Sequence, residues 1–210
     1  MNIHKLYGLI MPYFRGKRMA LFQSVFHPNP STKILDVGGG LGNWYLIGCQ
    51  SQITILNIDI APQLADAPPN FTFVEGDGTA LKYADGEFDL GYSNSVIEHV
   101  GTYENQIKFA REICRVAKKI WVQTPARWFF VEPHIITPFI HYFPKSWQRH
   151  LIRNFSIWGL ITKPSREKVN GFLEEVRLVN FSEFKSLFPD CEIKKEKFLF
   201  MTKSFIAIKR

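Results

Sequence analysis

The sequence predicts an α/β fold, with a mostly parallel sheet and helices on both faces. Three observations carry this. Short apolar strands alternate with helical segments through about residue 125. A glycine-rich turn, Gly38-Gly39-Gly40-Leu41-Gly42, follows the first of those strands. Two strands separated only by a turn close the chain, and such a pair must be antiparallel. With 210 residues, 46% of them apolar, the chain suits one domain with a full core; the 21% charged fraction argues against wholesale disorder. One domain over 1–210 is expected, with an N-terminal helical cap at 1–30 and an insertion at 126–165.

The elements follow in order. Residues from about 2 to 27 read as helical, with a turn at Pro12 and a stop at His27-Pro28-Asn29-Pro30. Lys33 to Val37 is a short apolar strand, and Asn43 is placed to cap a short helix reaching Gly48. Strands are expected at Gln52–Ile60, Phe71–Glu75 and Phe88–Tyr92. Tyr103 to Lys118 is the strongest helix, with Ile107, Ala110, Ile113, Cys114 and Ala117 at helical spacing on one face. Ile120 to Thr124 is the next strand, stopped by Pro125. The segment 126–165, rich in Pro and aromatics, is too long for a plain loop and reads as a functional insertion. A strand near Glu175–Val179, a helix at Ser182–Phe188, and strands at Glu192–Phe198 and Lys203–Ile208 complete the chain.

Asp36-Val37-Gly38-Gly39-Gly40-Leu41-Gly42 holds the first chemical signal. Glycines at a strand-to-helix turn let backbone amides approach a ligand closely. A dinucleotide fingerprint would need a third glycine at position 43, which is Asn43, and Asp36 would repel a pyrophosphate. A ligand carrying an ammonium and a sulfonium would accept that carboxylate. Asp59, at the expected end of the second strand, can accept two ribose hydroxyls. Asp77, in Glu75-Gly76-Asp77-Gly78-Thr79, can accept an adenine amine or be an ordinary Asp-Gly turn.

On Ile34–Trp44, Asn57–Ile60, Val74–Leu81 and Glu87–Val100 the chain resembles the class I S-adenosylmethionine-dependent methyltransferases, of the broad type-11 small-molecule group. The resemblance implies a Rossmann-like, seven-stranded, mostly parallel sheet with an antiparallel last strand and a helical insertion after strand five. It implies that Gly38 and Gly40 lie against the methionine part of the cofactor and that Asp36 helps hold its ammonium. Asp59 would bind the ribose, Ile60 the adenine face, Asp77 and Gly78 the adenine edge, and Asn94 would face the methionine end.

Ser93-Asn94-Ser95-Val96-Ile97-Glu98-His99-Val100 matches a further pattern of that group, placed where the methyl should point. His99 is a candidate general base, because imidazole titrates near neutrality; the competing reading is that Glu98 and His99 orient the loop. Thr124 to His134 resembles a T-P-N-R-x-F-P-x-E-x-H stretch of some members, with Ala126 replacing the Asn and Phe130 the Pro. Glu132 and His134, two apart in an extended segment, share one side and read either as a catalytic pair or as a structural hydrogen-bonded pair. A metal on Glu132, His134 and His141 is not expected, since His141 lies in a Pro-broken segment.

The net charge of +7 suits an anionic or amphipathic small-molecule acceptor. It also admits a nucleic-acid methyltransferase, but the fourth strand ends in Tyr92-Ser93-Asn94-Ser95, not an N-P-P-Y type sequence, and no Cys follows a Pro. A non-catalytic cofactor-binding partner of the same fold and a nicotinamide oxidoreductase are the remaining alternatives. The basic, aromatic stretch Ile140–Ile161 reads as a lid helix over the pocket in preference to a peripheral membrane contact. Three scattered Cys without CxxC spacing argue against disulfides and zinc, so a reduced, cytoplasmic setting is expected.

Overall fold

The structure, a computed structural model, describes residues 3–60 and 67–210, with side chains described from residue 14 onward. Helix α1 spans Ile3–Phe26 and continues through Pro12, where a turn was expected. The missing proline amide costs one hydrogen bond of the ladder, and here the helix absorbs that loss. The expected start at residue 2 lies outside the described residues.

Strand β1 (Lys33–Val37) leads through the glycine turn into α2 (Leu41–Tyr45). Gly40, not Asn43, occupies the N-cap of α2; Asn43 sits inside its first turn and donates to the Tyr92 hydroxyl at 3.3 Å. Strand β2 is Gln52–Asn57, shorter than expected, because its pairings with β1 and with β3 (Phe71–Glu75) both run out by Asn57. Strand β4 (Phe88–Asn94) is followed by a 3-10 turn at Ile97–His99 and by α3 (Tyr103–Val116), which starts at a Thr102 hydroxyl cap. The expected last turn of α3 is instead the start of β5 (Ala117–Pro125), which pairs with β4 from Ala117 onward. The buried face of α3 is Gln106, Phe109, Ala110, Ile113 and Val116.

The insertion holds a two-stranded hairpin, β6 (Val131–Glu132) with β7 (Thr137–Pro138), then α4 (Lys145–Phe155) and α5 (Ile157–Thr162). Helix α6 (Arg166–Glu175) packs with them around Ile135, Ile140, Ile152, Val169 and Leu173. Glu175–Val179 is therefore not a strand. Glu175 ends α6, and Val179 makes a single bridge to Ala126, because the edge of β5 is taken by the last strand. Helix α7 (Phe181–Leu187) precedes β8 (Glu192–Phe198) and β9 (Met201–Lys209).

Among the described residues, seven strands form one sheet in the order β3-β2-β1-β4-β5-β9-β8, parallel except for β9. One face buries Leu35 and Val37 against α3 and α7; the other buries Ile34 with Met19 and Phe22 of α1 and Trp44 of α2. The order reverses between β1 and β4, and ligands of open α/β sheets bind beyond the carboxyl ends of the strands at such a point. No helix of the described residues is long and apolar enough to cross a membrane.

Candidate active site

Two cavities open at the carboxyl ends of β1, β2, β4 and β5. The first, of about 410 Å³, lies at the β1/β4 reversal between Gly38, Asn57, Ile58, Asp77, Gly78 and the Val96–Val100 turn. Gly38 has φ +74°, and a Cβ there would lie 2.4 Å from a Val96 methyl, so only glycine fits the floor. Gly39 lies flat on the Asp36 carboxylate, which a Cβ would meet at 2.0 Å. Gly40 begins α2 in extended backbone. The Asn57 amide ties β2 to this loop, donating to the Gly39 carbonyl at 3.2 Å.

Asp36 is fully buried on the α1 side of the sheet. Trp44 Nε1 donates to its Oδ2 at 2.8 Å, whereas Oδ1 has no hydrogen-bond partner among the described residues. Burial pushes its carboxyl up to about 7, against the lowering effect of Trp44. Asp77 lines the cavity, and its Oδ1 accepts from the amide and hydroxyl of Thr79 at 2.8 Å each, so the Asp-Gly turn is present. Asp59 is exposed and Ile60 half-buried, both beyond the end of β2; Asn57 and Ile58 form the cavity wall there. Asn94 does not line this cavity: its Oδ1 accepts from Arg18 Nη1 at 2.6 Å.

The second cavity, of about 260 Å³, is apolar, walled by Phe14, Phe129, Phe130, Pro133, Ile136 and Phe198. Arg18 and Lys203 bring positive charge to it. Arg18 is buried, with its guanidinium on Asn94 Oδ1, on Gln123 Oε1 at 2.9 Å and on Glu196 Oε1 at 3.2 Å. Lys203 Nζ lies 3.3 Å from the Phe14 ring centroid and 3.7 Å from Glu196 Oε2, and burial pushes its ammonium down to about 8 despite that carboxylate. Ser95 borders both cavities, with φ +58°, its amide held by the Gln123 carbonyl and its hydroxyl by Gln123 Oε1, each at 2.9 Å. Helices α4 and α5 do not cover this cavity; the hairpin of the insertion does.

His99 lines the first cavity and pairs through Nδ1 with Glu175 Oε1 at 2.9 Å. Its ring meets the edge of His134 with centroids 4.7 Å apart. His134 pairs through Nδ1 with Glu132 Oε1 at 2.7 Å, and Glu132 Oε2 accepts from the Ile135 amide at 2.8 Å. Burial depresses the His134 imidazole, but Glu132, Glu98 and Glu175 outweigh it and the net shift is upward. Glu132 and His134 are therefore hydrogen-bonded to each other, which either of the two readings of the pair admits, and the fold brings them against His99.

Arg18 and Lys203 were not among the expected site residues, and Ser95 stood only as a member of the Ser93–Val100 motif. Arg18 stands four residues from Phe14 and from Phe22 on one helical face, whereas Lys203 falls at the register shift of the β8–β9 pair, with its ammonium on Phe14 and away from the face of Phe205 and Ala207. A cation on an apolar stripe is the signal for Arg18; the placement of Lys203 depends on that irregularity and has no local signal. The left-handed backbone of Ser95 has no such signal either, because it comes from tertiary pairing with β5.

Residues 35–120 match the family model described as a methyltransferase domain. The chain is similar to the 2-methyl-6-phytyl-1,4-hydroquinone methyltransferase of Synechocystis, with 26% identity over 73% of this chain and 48% of that protein. It is also similar to an uncharacterised methyltransferase of the same organism, with 29% identity over 57% of this chain and 61% of the relative. The chain thus spans about half to three fifths of the length of these relatives. The fold is shared with phosphoethanolamine N-methyltransferase 2 of Haemonchus contortus, solved with S-adenosyl-L-methionine. The TM-score is 0.56 at 14% identity, over 85% of this chain and 38% of that one.

Proposed function

We propose that this chain is a class I S-adenosylmethionine-dependent methyltransferase that moves a methyl group from that cofactor to an O, N or C atom of a small amphipathic molecule; the methyltransferase-domain match over residues 35–120 and the sheet order support the reading. The observation that carries the reading is Ser95: one residue, in strained backbone, borders both the glycine-floored cavity and the apolar one. Two ligands placed in these cavities meet there.

The first cavity fits the cofactor. The Gly38 floor admits close contact, and Asp77 and Gly78 border the cavity; Asp36, buried behind Gly39 and outside this lining, keeps an unpartnered Oδ1 that would suit an ammonium reaching it. Gly40 and Asp59 stand at the ends of β1 and β2 where the methionine and ribose parts would be held, with Ile60 beside Asp59. When bound, the cofactor supplies a methyl on a cationic sulfur for in-line displacement, and most of the rate comes from placement. The aromatic walls exclude water and grip the acceptor's apolar part. Arg18 and Lys203 hold its polar or anionic end, and Lys203, neutral above about pH 8, can take a proton from a hydroxyl there. The relative named for a phytyl hydroquinone makes a hydroxylated ring with an apolar tail the first acceptor to try.

Calorimetry with S-adenosylmethionine and S-adenosylhomocysteine should give binding that Asp59→Ala weakens. Transfer of labelled methyl to amphipathic phenols should follow, rising with pH through about 8. Lys203→Met should flatten that rise and raise the acceptor KM while leaving cofactor affinity unchanged. Binding of NAD in place of S-adenosylmethionine would sink the reading. Cofactor binding with transfer to RNA but to no small acceptor would replace it with the nucleic-acid alternative.

A further inference from the structure

Glu98, His99 and His134 come from two distant parts of the chain, the turn after β4 and the hairpin of the insertion. One ligand atom of each lies within 4.8 Å of the others. The Nδ1 atoms of both histidines are already taken by carboxylates, His99 by Glu175 at 2.9 Å and His134 by Glu132 at 2.7 Å. Such carboxylate–imidazole pairs fix the ring and leave Nε2 as a ligand atom. Glu98 is fully buried. Its Oε2 accepts from Thr124 at 2.8 Å, but Oε1 has no hydrogen-bond partner among the described residues, and His134 Nε2 stands 4.0 Å from it. That separation is too long for a hydrogen bond. An ion pair alone therefore leaves a buried carboxylate oxygen unsatisfied, at a cost that native structures rarely carry.

We propose that Glu98, His99 and His134 bind one divalent first-row transition ion of the zinc type, with Glu132 and Glu175 orienting the two imidazoles. Two nitrogens and one carboxylate oxygen favour such an ion over magnesium or calcium, which take oxygen donors. Donors about 2.0–2.2 Å from a tetrahedral ion lie roughly 3.5 Å apart, so the three groups close by about 1 Å when it binds. Three protein ligands leave at least one position open. His99 also lines the first cavity, so the ion sits in its wall and pins β4, the hairpin of the insertion and the end of α6 together. The site does not depend on the methyl-transfer reading.

The experiment uses the full chain, freed of any affinity tag and stripped with a chelator, titrated with Zn²⁺ by calorimetry and with Co²⁺ by visible absorption. One equivalent should bind at micromolar affinity or better, with Co²⁺ bands of nitrogen and oxygen ligation. His99→Gln, at a half-exposed ligand, and Glu98→Gln, which keeps an acceptor for Thr124, should each weaken binding roughly 100-fold or more, with circular dichroism showing both folded. Glu132→Gln, which only loosens a ring, should cost about tenfold or more. His141→Ala and His150→Ala should change nothing. Absence of a stoichiometric site in the folded chain, or binding undiminished in His99→Gln and Glu98→Gln, would overturn the proposal.

Discussion

At Asp36, stability and the proposed cofactor contact pull in opposite directions. Its carboxyl is raised from 3.8 to about 7 because burial penalises the charge more than Trp44 favours it. A folded-state value above the unfolded one means that its contribution to stability is full below about pH 4 and is lost as pH rises through about 7. Asp36→Asn keeps an acceptor for Trp44 and carries no charge. The variant should therefore match the parent in acid and exceed its thermal midpoint above about pH 7, by a margin that grows across that interval. Under the proposed function the same variant should bind S-adenosylmethionine more weakly, because the proposed partner of the ammonium is gone. Melting curves across pH with and without the cofactor read both signs; a pH-independent difference would refute the assignment of the shift to this carboxyl. The place of Asp36 before the glycines was legible, and it makes the residue a candidate. Its burial under Trp44 and Tyr92 was not, since that depends on α2 and β4 folding over it.

At the scale of elements, the β8–β9 hairpin departs from its own local chemistry. Phe198 pairs with Met201, so the turn has two residues, Leu199 and Phe200, with φ +46° and +66°. Turns of this kind favour Asn-Gly, because a Cβ disfavours left-handed backbone. Phe200 is 100% exposed and Leu199 64%, so neither recovers the strain by burial. Leu199→Asn with Phe200→Gly should stabilise the chain by about 1–2 kcal/mol, read as a higher denaturation midpoint at unchanged slope. A lower midpoint would mean that these apolar side chains pack on something in solution. The hairpin itself was legible, as were β1, β3 and α3, because alternation and the 3.6-residue period are local properties. The ends of β2 and the identity of 175–179 were not: sheet partners end the first, and β9 takes the edge the second would need.

At the scale of the molecule, Arg18 is the tie. Its guanidinium reaches Asn94, Gln123 and Glu196, which are 76, 105 and 178 residues away in sequence and lie on three strands. Breaking a buried hydrogen-bonded charge leaves its partners unpaired, here tempered by the Ser204 and Lys203 contacts that Glu196 keeps. Arg18→Met should cost about 3 kcal/mol in urea unfolding and loosen α1 from the sheet, seen as faster amide exchange in that helix before any other. A loss under about 0.5 kcal/mol would place the hold of α1 in its apolar face alone, in Met19 and Phe22.

The sequence alone determined the α/β class, the strand-to-glycine turn and the resemblance that names a cofactor. Each rests on a periodicity or a spacing shorter than about 25 residues, within which the chain's geometry leaves few choices. Tertiary structure decided what stands opposite what. Arg18 and Lys203 meet the insertion's aromatics, Ser95 borders both cavities, and Glu98, His99 and His134 converge. These placements follow from the sheet order, in which β5 lies between β4 and β9, and from an insertion that folds back over their ends. No local pattern encodes that order. It is selected by which buried faces fit one another, and the polar groups it brings together inherit their chemistry from that fit.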